Sequence, residues 1–196
     1  MTLGVGQFCT KPGLVFVVEG ASHEAFTDRL TALIDQTPPG AFLTEGIGQT
    51  YARLLDARCG QPGVRTLARG QAALLSTDID TFLASPGLQE EIFGPASLLV
   101  RCRSTNDFLR GAEVLEGQLT ATLWGEPGEL EAQDDLLWTL QQKAGRIVFN
   151  GFPIGVEVGE AIVHGGPFPA TTDSRFSSVG TRAIYRFLRP VAWQEP

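Results

Sequence analysis

Histidine and cysteine are scarce in this chain of 196 residues, which has two of the first and three of the second. His23 and His164 stand far apart and no Cys-x-x-Cys occurs, so no metal site is implied. Cys9, Cys59 and Cys102 are odd in number and widely spaced, which excludes a disulfide framework and favours reduced thiols. Basic residues are the minority, 15 against 22 acidic, for a net charge of -7. That balance disfavours nucleic acid and anionic membrane as partners. No apolar run approaches the roughly 20 residues that cross a bilayer. A basic stretch followed by an apolar secretory core is also absent from the start, so a cytoplasmic location is expected. There is no Gly-x-Gly-x-x-Gly and no phosphate-loop signature, hence no autonomous nucleotide site.

What is present is a globular composition, 43% hydrophobic, at a length that suits one compact domain. Leu14-Val15-Phe16-Val17-Val18 reads as a strand buried on both faces. A helix follows from Ser22, the candidate cap, to the Pro38-Pro39-Gly40 stop. Residues 49–57 read as a helix, 72–75 as a strand, 78–84 as a short helix and 97–102 as a strand. A helix over 106–115, a strand over 119–124, one helix over 129–143 and a strand over 147–149 complete the alternation. Such alternation predicts an α/β fold, a mostly parallel sheet with helices on both faces. Residues 151–172, rich in Gly and Pro, read as a long loop lining a site. Thr181 to Leu188 reads as a helix and 190–194 as a terminal strand, giving a division into 1–180 and a 181–196 tail.

The candidate nucleophile is Cys9, which follows Gly6-Gln7-Phe8. Thiol chemistry needs a thiolate and access for substrate, and glycines at 4 and 6 let backbone come close to a ligand. A lone cysteine is more often a small buried hydrophobe, the reading that fits Cys59 and Cys102. Glu90-Glu91-Ile92-Phe93-Gly94-Pro95 and Gly145-Arg146-Ile147-Val148-Phe149-Asn150 supply the context. Taken in order, Gly-Gln-x-Cys, Glu-Glu-Ile-Phe-Gly-Pro and Gly-x-Ile-x-x-Asn resemble the aldehyde dehydrogenase superfamily, over residues 2 to 194. Phe8-Cys9-Thr10-Lys11-Pro12-Gly13, Asn150-Gly151-Phe152-Pro153 and His164-Gly165-Gly166-Pro167-Phe168-Pro169-Ala170 most resemble the branch acting on α-ketoglutaric semialdehyde.

The resemblance implies that Cys9 attacks an aldehyde, from a dicarboxylic semialdehyde in the parent enzyme, through a thiohemiacetal and then a thioester. It places Glu91 and Phe93 on the nicotinamide ribose of NAD or NADP. Phe8, Phe152, Ile154 and His164 match positions around the aldehyde, although His164 reads equally as a structural loop histidine. Arg175 is a candidate for a substrate carboxylate. Two positions depart from the broad family pattern: Leu14 replaces an arginine five residues after the cysteine, and Leu3 an aromatic six before it. Family chains are much longer, and a dinucleotide-binding domain carrying the general-base glutamate and an oxyanion-hole asparagine precedes the cysteine. The expectation is therefore a catalytic domain alone, by engineered truncation or a shortened gene, with no tight cofactor binding and no turnover of its own. A residual thiol esterase and a catalytically dead partner domain are the rival readings. By the same resemblance the tail is an oligomerisation strand, so a homo-oligomer is expected, and loss of the cofactor domain should leave an apolar face near Cys9 and Phe93.

Overall fold

The computed structural model describes residues 1–196. By its contacts the chain divides into two compact units, Met1–Val114 and Leu115–Pro196. Residues 181–196 fall within the second.

The first unit is a four-stranded sheet with helices on both faces. Its elements run β1 (Leu14–Val18), α1 (Ala21–Asp35), α2 (Glu45–Cys59), β2 (Arg65–Arg69), β3 (Ala73–Asp78), α3 (Ile79–Ala84), β4 (Ala96–Cys102) and α4 (Thr105–Val114). The strand order is β1-β4-β3-β2; β1, β4 and β3 are parallel and β2 joins antiparallel. Successive side chains of a strand face opposite ways, so Leu74 and Thr77 on β3 point to different faces. On one face Leu74 packs with Ile34 of α1 and with Ala68 and Ala72. On the other, Phe16, in line with Val100 and Thr77, meets Phe82 of α3 edge-on, ring centroids 5.3 Å apart. Gly111 of α4 abuts the Phe16 ring, where a Cβ would collide. The two central strands carry the core: Leu74, Leu75, Leu99 and Val100 are buried.

Several expectations are corrected here. The apolar run of β1 is half-buried, because it forms a sheet edge. Ser22 does not cap α1, which starts at Ala21 after Gly20 without a side-chain cap. Helix α2 begins at Glu45, where the Thr44 hydroxyl accepts the Ile47 N–H. Strand β2 was not anticipated, since it is mostly polar and a register shift between Thr66 and Ala68 interrupts its alternation.

The second unit holds a parallel pair, β5 (Gln118–Leu123) and β6 (Ala144–Phe149). Between them the expected single helix is two, α5 (Pro127–Glu131) and α6 (Asp134–Lys143). Residues 150–180 contain no regular helix or strand, as anticipated for 151–172. Glycines let this long segment lie against the strands: a Cβ on Gly117 or Gly145 would strike the carbonyls of Pro167 and Gly165. Arg146 donates to the carbonyls of Gly155, at 3.1 Å, and Pro153. Thr181–Phe187 forms a 3-10 turn, and 190–194 is exposed without strand structure, contrary to the expected terminal strand.

Candidate active site at the Cys9 turn

Cys9 lies in a turn with Thr10, just after a 3-10 turn, Leu3–Gly6, and a bend at Phe8. Gly4 and Gly6 have φ of 56° and 65°, a region in which L side chains are strained, and Val5 shares it at 58°. The Cys9 side chain is exposed, unlike the buried Cys102 and half-buried Cys59. Burial pushes the Cys102 thiol up to about 12, which leaves it inert near neutral pH. Gln7 holds the turn in place: its side chain donates to the Gly4 carbonyl at 3.0 Å and accepts the Leu43 N–H at 2.8 Å.

The segment carrying Glu91 and Phe93 meets this turn directly. A Cβ on Gly6 would fall inside contact distance of the Gly94 carbonyl carbon and oxygen. Gly94 has φ 142°, and its own Cβ would overlap the Tyr51 ring. Tyr51 is buried, its hydroxyl donating to the Gln71 carbonyl at 2.6 Å, and burial raises its pKa. Thus two glycines 88 residues apart allow the two motifs to touch.

Two buried cations brace the same segment. Arg58 donates to the carbonyls of Leu88, Gly87 and Glu90 at 3.1, 2.8 and 3.0 Å. Lys11, 8% exposed, donates to the carbonyls of Ile92 and Ala96 at 3.2 and 2.7 Å. Burial lowers Lys11 to about 8, against the opposing pull of the Glu91 carboxylate. Ile92 points inward while Glu90, Glu91 and Phe93 are exposed, and Glu91 makes no salt bridge. Leu3, Phe8, Leu43 and Phe93 are each exposed, as are Glu90 and Glu91 in the same segment as Phe93. A shallow hollow of about 500 Å³ at the start of α2, lined by Phe42, Thr44 and Glu45 among others, includes none of Cys9, Glu91 or Phe93.

Cys9, Phe8, Glu91 and Phe93 lie in the first unit, where the Gly6–Gly94 approach joins their two segments; Phe152, Ile154 and His164 belong to the second. Phe152 is exposed and packs edge-on against Trp124, centroids 5.5 Å apart. Asn150 fixes their spacing by exchanging hydrogen bonds of 3.0 and 2.9 Å with the Gly125 main chain. Ile154 is half-buried. His164 is buried, held through its main chain by Ser177 and Ser178; burial, then the Arg146 charge, lowers its pKa. Its ring Nδ1 is buried without a hydrogen-bond partner, so these contacts hold its backbone and leave both readings of the imidazole open. Arg175 is paired with Asp173 at 2.6 Å and lies 5.6 Å from the Phe176 ring, so its charge is already engaged. Lys11, Gln7 and Tyr51 escaped sequence reasoning. Gln7 sits inside the quoted motif, but nothing signalled that the other two are buried.

No protein-family profile matches the chain. It is 45% identical over 204 residues to α-ketoglutaric semialdehyde dehydrogenase 2 of Azospirillum brasilense, covering all of this chain and 39% of that protein. It is 46% identical over 205 residues to α-ketoglutaric semialdehyde dehydrogenase of Acinetobacter baylyi, covering 98% of this chain and 38% of the relative. The chain thus spans about two fifths of the length of the curated relatives it matches. Among solved structures, Δ-pyrroline-5-carboxylate dehydrogenase of Mycobacterium tuberculosis shares the fold at TM-score 0.76 and 16% identity, over 98% of this chain and 40% of that one. The same enzyme bound with NAD matches at TM-score 0.68 and 16% identity, over 86% and 33%. In sequence and in fold, the chain belongs to the aldehyde dehydrogenase superfamily, of which it is a partial domain.

Proposed function

We propose that this chain is the cysteine-bearing portion of an NAD(P)-dependent aldehyde dehydrogenase whose substrate is a dicarboxylic semialdehyde. The observation that carries this reading is the exposed Cys9 thiol on a turn in backbone contact with the segment that presents Glu91 and Phe93. The Cys9 sulfur adds to the aldehyde carbon to give a thiohemiacetal, and the oxidised product is carried as a thioester before hydrolysis. A thiolate is strongly nucleophilic near neutral pH, and the covalent stage splits one difficult oxidation into two easier steps. Negative charge developing on the aldehyde oxygen requires positioned donors, and the Cys9 main-chain N–H is a candidate.

The residues present fit one part of a nicotinamide dinucleotide. Glu91 offers a carboxylate outside any salt bridge to ribose hydroxyls, and Phe93 offers an exposed ring to the sugar. When bound, NAD or NADP supplies the hydride acceptor. Within the first unit the reading places Phe8, next to Cys9 in the chain, beside the aldehyde. The 196 residues contain no glycine-rich phosphate loop, so dinucleotide binding draws on regions found in the longer relatives, and the chain alone is expected not to turn over.

Iodoacetamide labelling followed by mass spectrometry tests the central claim. Cys9 should react at least tenfold faster than Cys102 at pH 7.5, and equal or slower labelling at Cys9 would end the nucleophile reading. Mixing the chain with aldehyde and NAD(P) should yield no reduced cofactor. A rate abolished by Cys9→Ala would instead show that the chain carries a complete enzyme.

A further inference from the structure

We infer that Lys11 is a positioning residue that fastens the Cys9 turn to the Glu91–Phe93 turn, holding thiol and cofactor-facing side chains in one register. The inference rests on the functional reading of Cys9, Glu91 and Phe93 proposed above.

Lysine is almost never buried unless its ammonium is satisfied. Lys11 is buried two residues after Cys9, and its partners are main-chain carbonyls on the opposite turn rather than carboxylates. One of them, Ile92, lies between Glu91 and Phe93, so the bond grips the residue whose neighbours face outward. The other, Ala96, opens β4, which ties the pair to the sheet. The ammonium is thereby bonded to the two structures whose spacing matters.

Burying an ammonium is costly, and an apolar side chain of similar length would fill the same space without that cost. What the apolar side chain could not do is reach across and donate twice. The Gly6–Gly94 contact sets how near the turns come, while the two Lys11 bonds fix how one slides along the other. The charges that act with Lys11 are the Glu91 carboxylate, which favours its protonated form, and the Met1 amino group, which Lys11 itself disfavours as a cation.

Hydrogen exchange on the whole chain tests this with Lys11→Met and Lys11→Arg. In Lys11→Met, amides of residues 6–11 and 91–96 should lose protection together, by at least tenfold, while β3 and α2 keep theirs. Iodoacetamide labelling should change at least threefold at Cys9 and stay constant at Cys59. Lys11→Arg, which keeps the donors, should recover most of both effects, which loss of general stability would not produce. Loss in one turn only, loss throughout the first unit, or identical behaviour of the two variants would overturn the inference. If Lys11→Met does not fold, exchange in the unaltered chain is followed as urea is raised below the unfolding midpoint. Amides of residues 6–11 and 91–96 should then open in step, and opening of one turn without the other would overturn the inference. An unreactive Cys9 in the unaltered chain would refute the functional reading while leaving the exchange result on Lys11 intact.

Discussion

At the scale of single residues, steric exclusion and buried donors organise the site more than its reactive groups do. Gly94 is the sharpest case, since an added methyl there meets both a strained φ of 142° and the Tyr51 ring. Gly94→Ala is expected to destabilise the chain by about 2–4 kcal/mol, by overpacking and backbone strain together. Urea unfolding measures it, and a change below about 0.5 kcal/mol would mean that the Tyr51 ring moves aside freely. Cys9 stands out in the sequence only beside the Glu90–Pro95 and Gly145–Asn150 motifs, because a lone cysteine more often packs in a core; the fold leaves it exposed. Lys11 was not legible: a lysine between Thr10 and Pro12 looks like surface charge, and only the fold reveals two carbonyls waiting for it. His164 reads in the sequence as either ligand contact or loop structure; Ser177 and Ser178 hold its main chain, while its buried ring Nδ1 has no partner.

At the scale of elements, periodicity located most strands and helices, and local capping moved their ends. The division between α5 and α6 was hidden because apolar spacing continues across it. The chain leaves helical geometry at Gln133, and Asp134 and Asp135 then occupy the first turn of a new helix, where negative charge is favoured. Helix α2 starts earlier than its apolar pattern because Thr44 caps a first turn containing Gly46 and Gly48. For α3, residue 78 is the cap and not the first helical residue: Asp78 accepts the Thr81 N–H at 2.8 Å, a bond that lowers its pKa. Because the folded-state pKa lies below the unfolded value, the cap contributes fully above about pH 4 and its contribution is lost as pH falls further. Asp78→Ala should therefore cost about 1 kcal/mol at pH 7, with the difference from the parent shrinking below pH 4. Chemical denaturation across pH 3 to 7 follows this, and a difference independent of pH would remove the carboxylate as its cause.

At the scale of the whole molecule, the division at Val114 separates the sequence motifs into those of the first unit, around Cys9, and those of the second, from Gly145 onward. The α/β class and the parallel pairing could be read from alternation alone. The 190–194 strand could not, since a strand needs a partner and none pairs there. Phe187, Leu188, Val191 and Trp193 are nonetheless exposed, Trp193 at 93%. Such a run favours association with another apolar surface, and we expect sedimentation to show average mass rising with concentration. Phe187→Ser combined with Trp193→Ser should reduce that rise, and an unchanged dependence would assign self-association to another surface.

The grip on residues 86–96 has a consequence of its own. Arg58 and Lys11 hold the segment by its carbonyl oxygens, so those bonds do not involve the side chain at position 93, while the Glu90 and Glu91 carboxylates favour the charges of the two cations. Position 93 can therefore change without removing any of the five bonds that support it, whereas a change at 90 or 91 also alters the charge beside a buried cation.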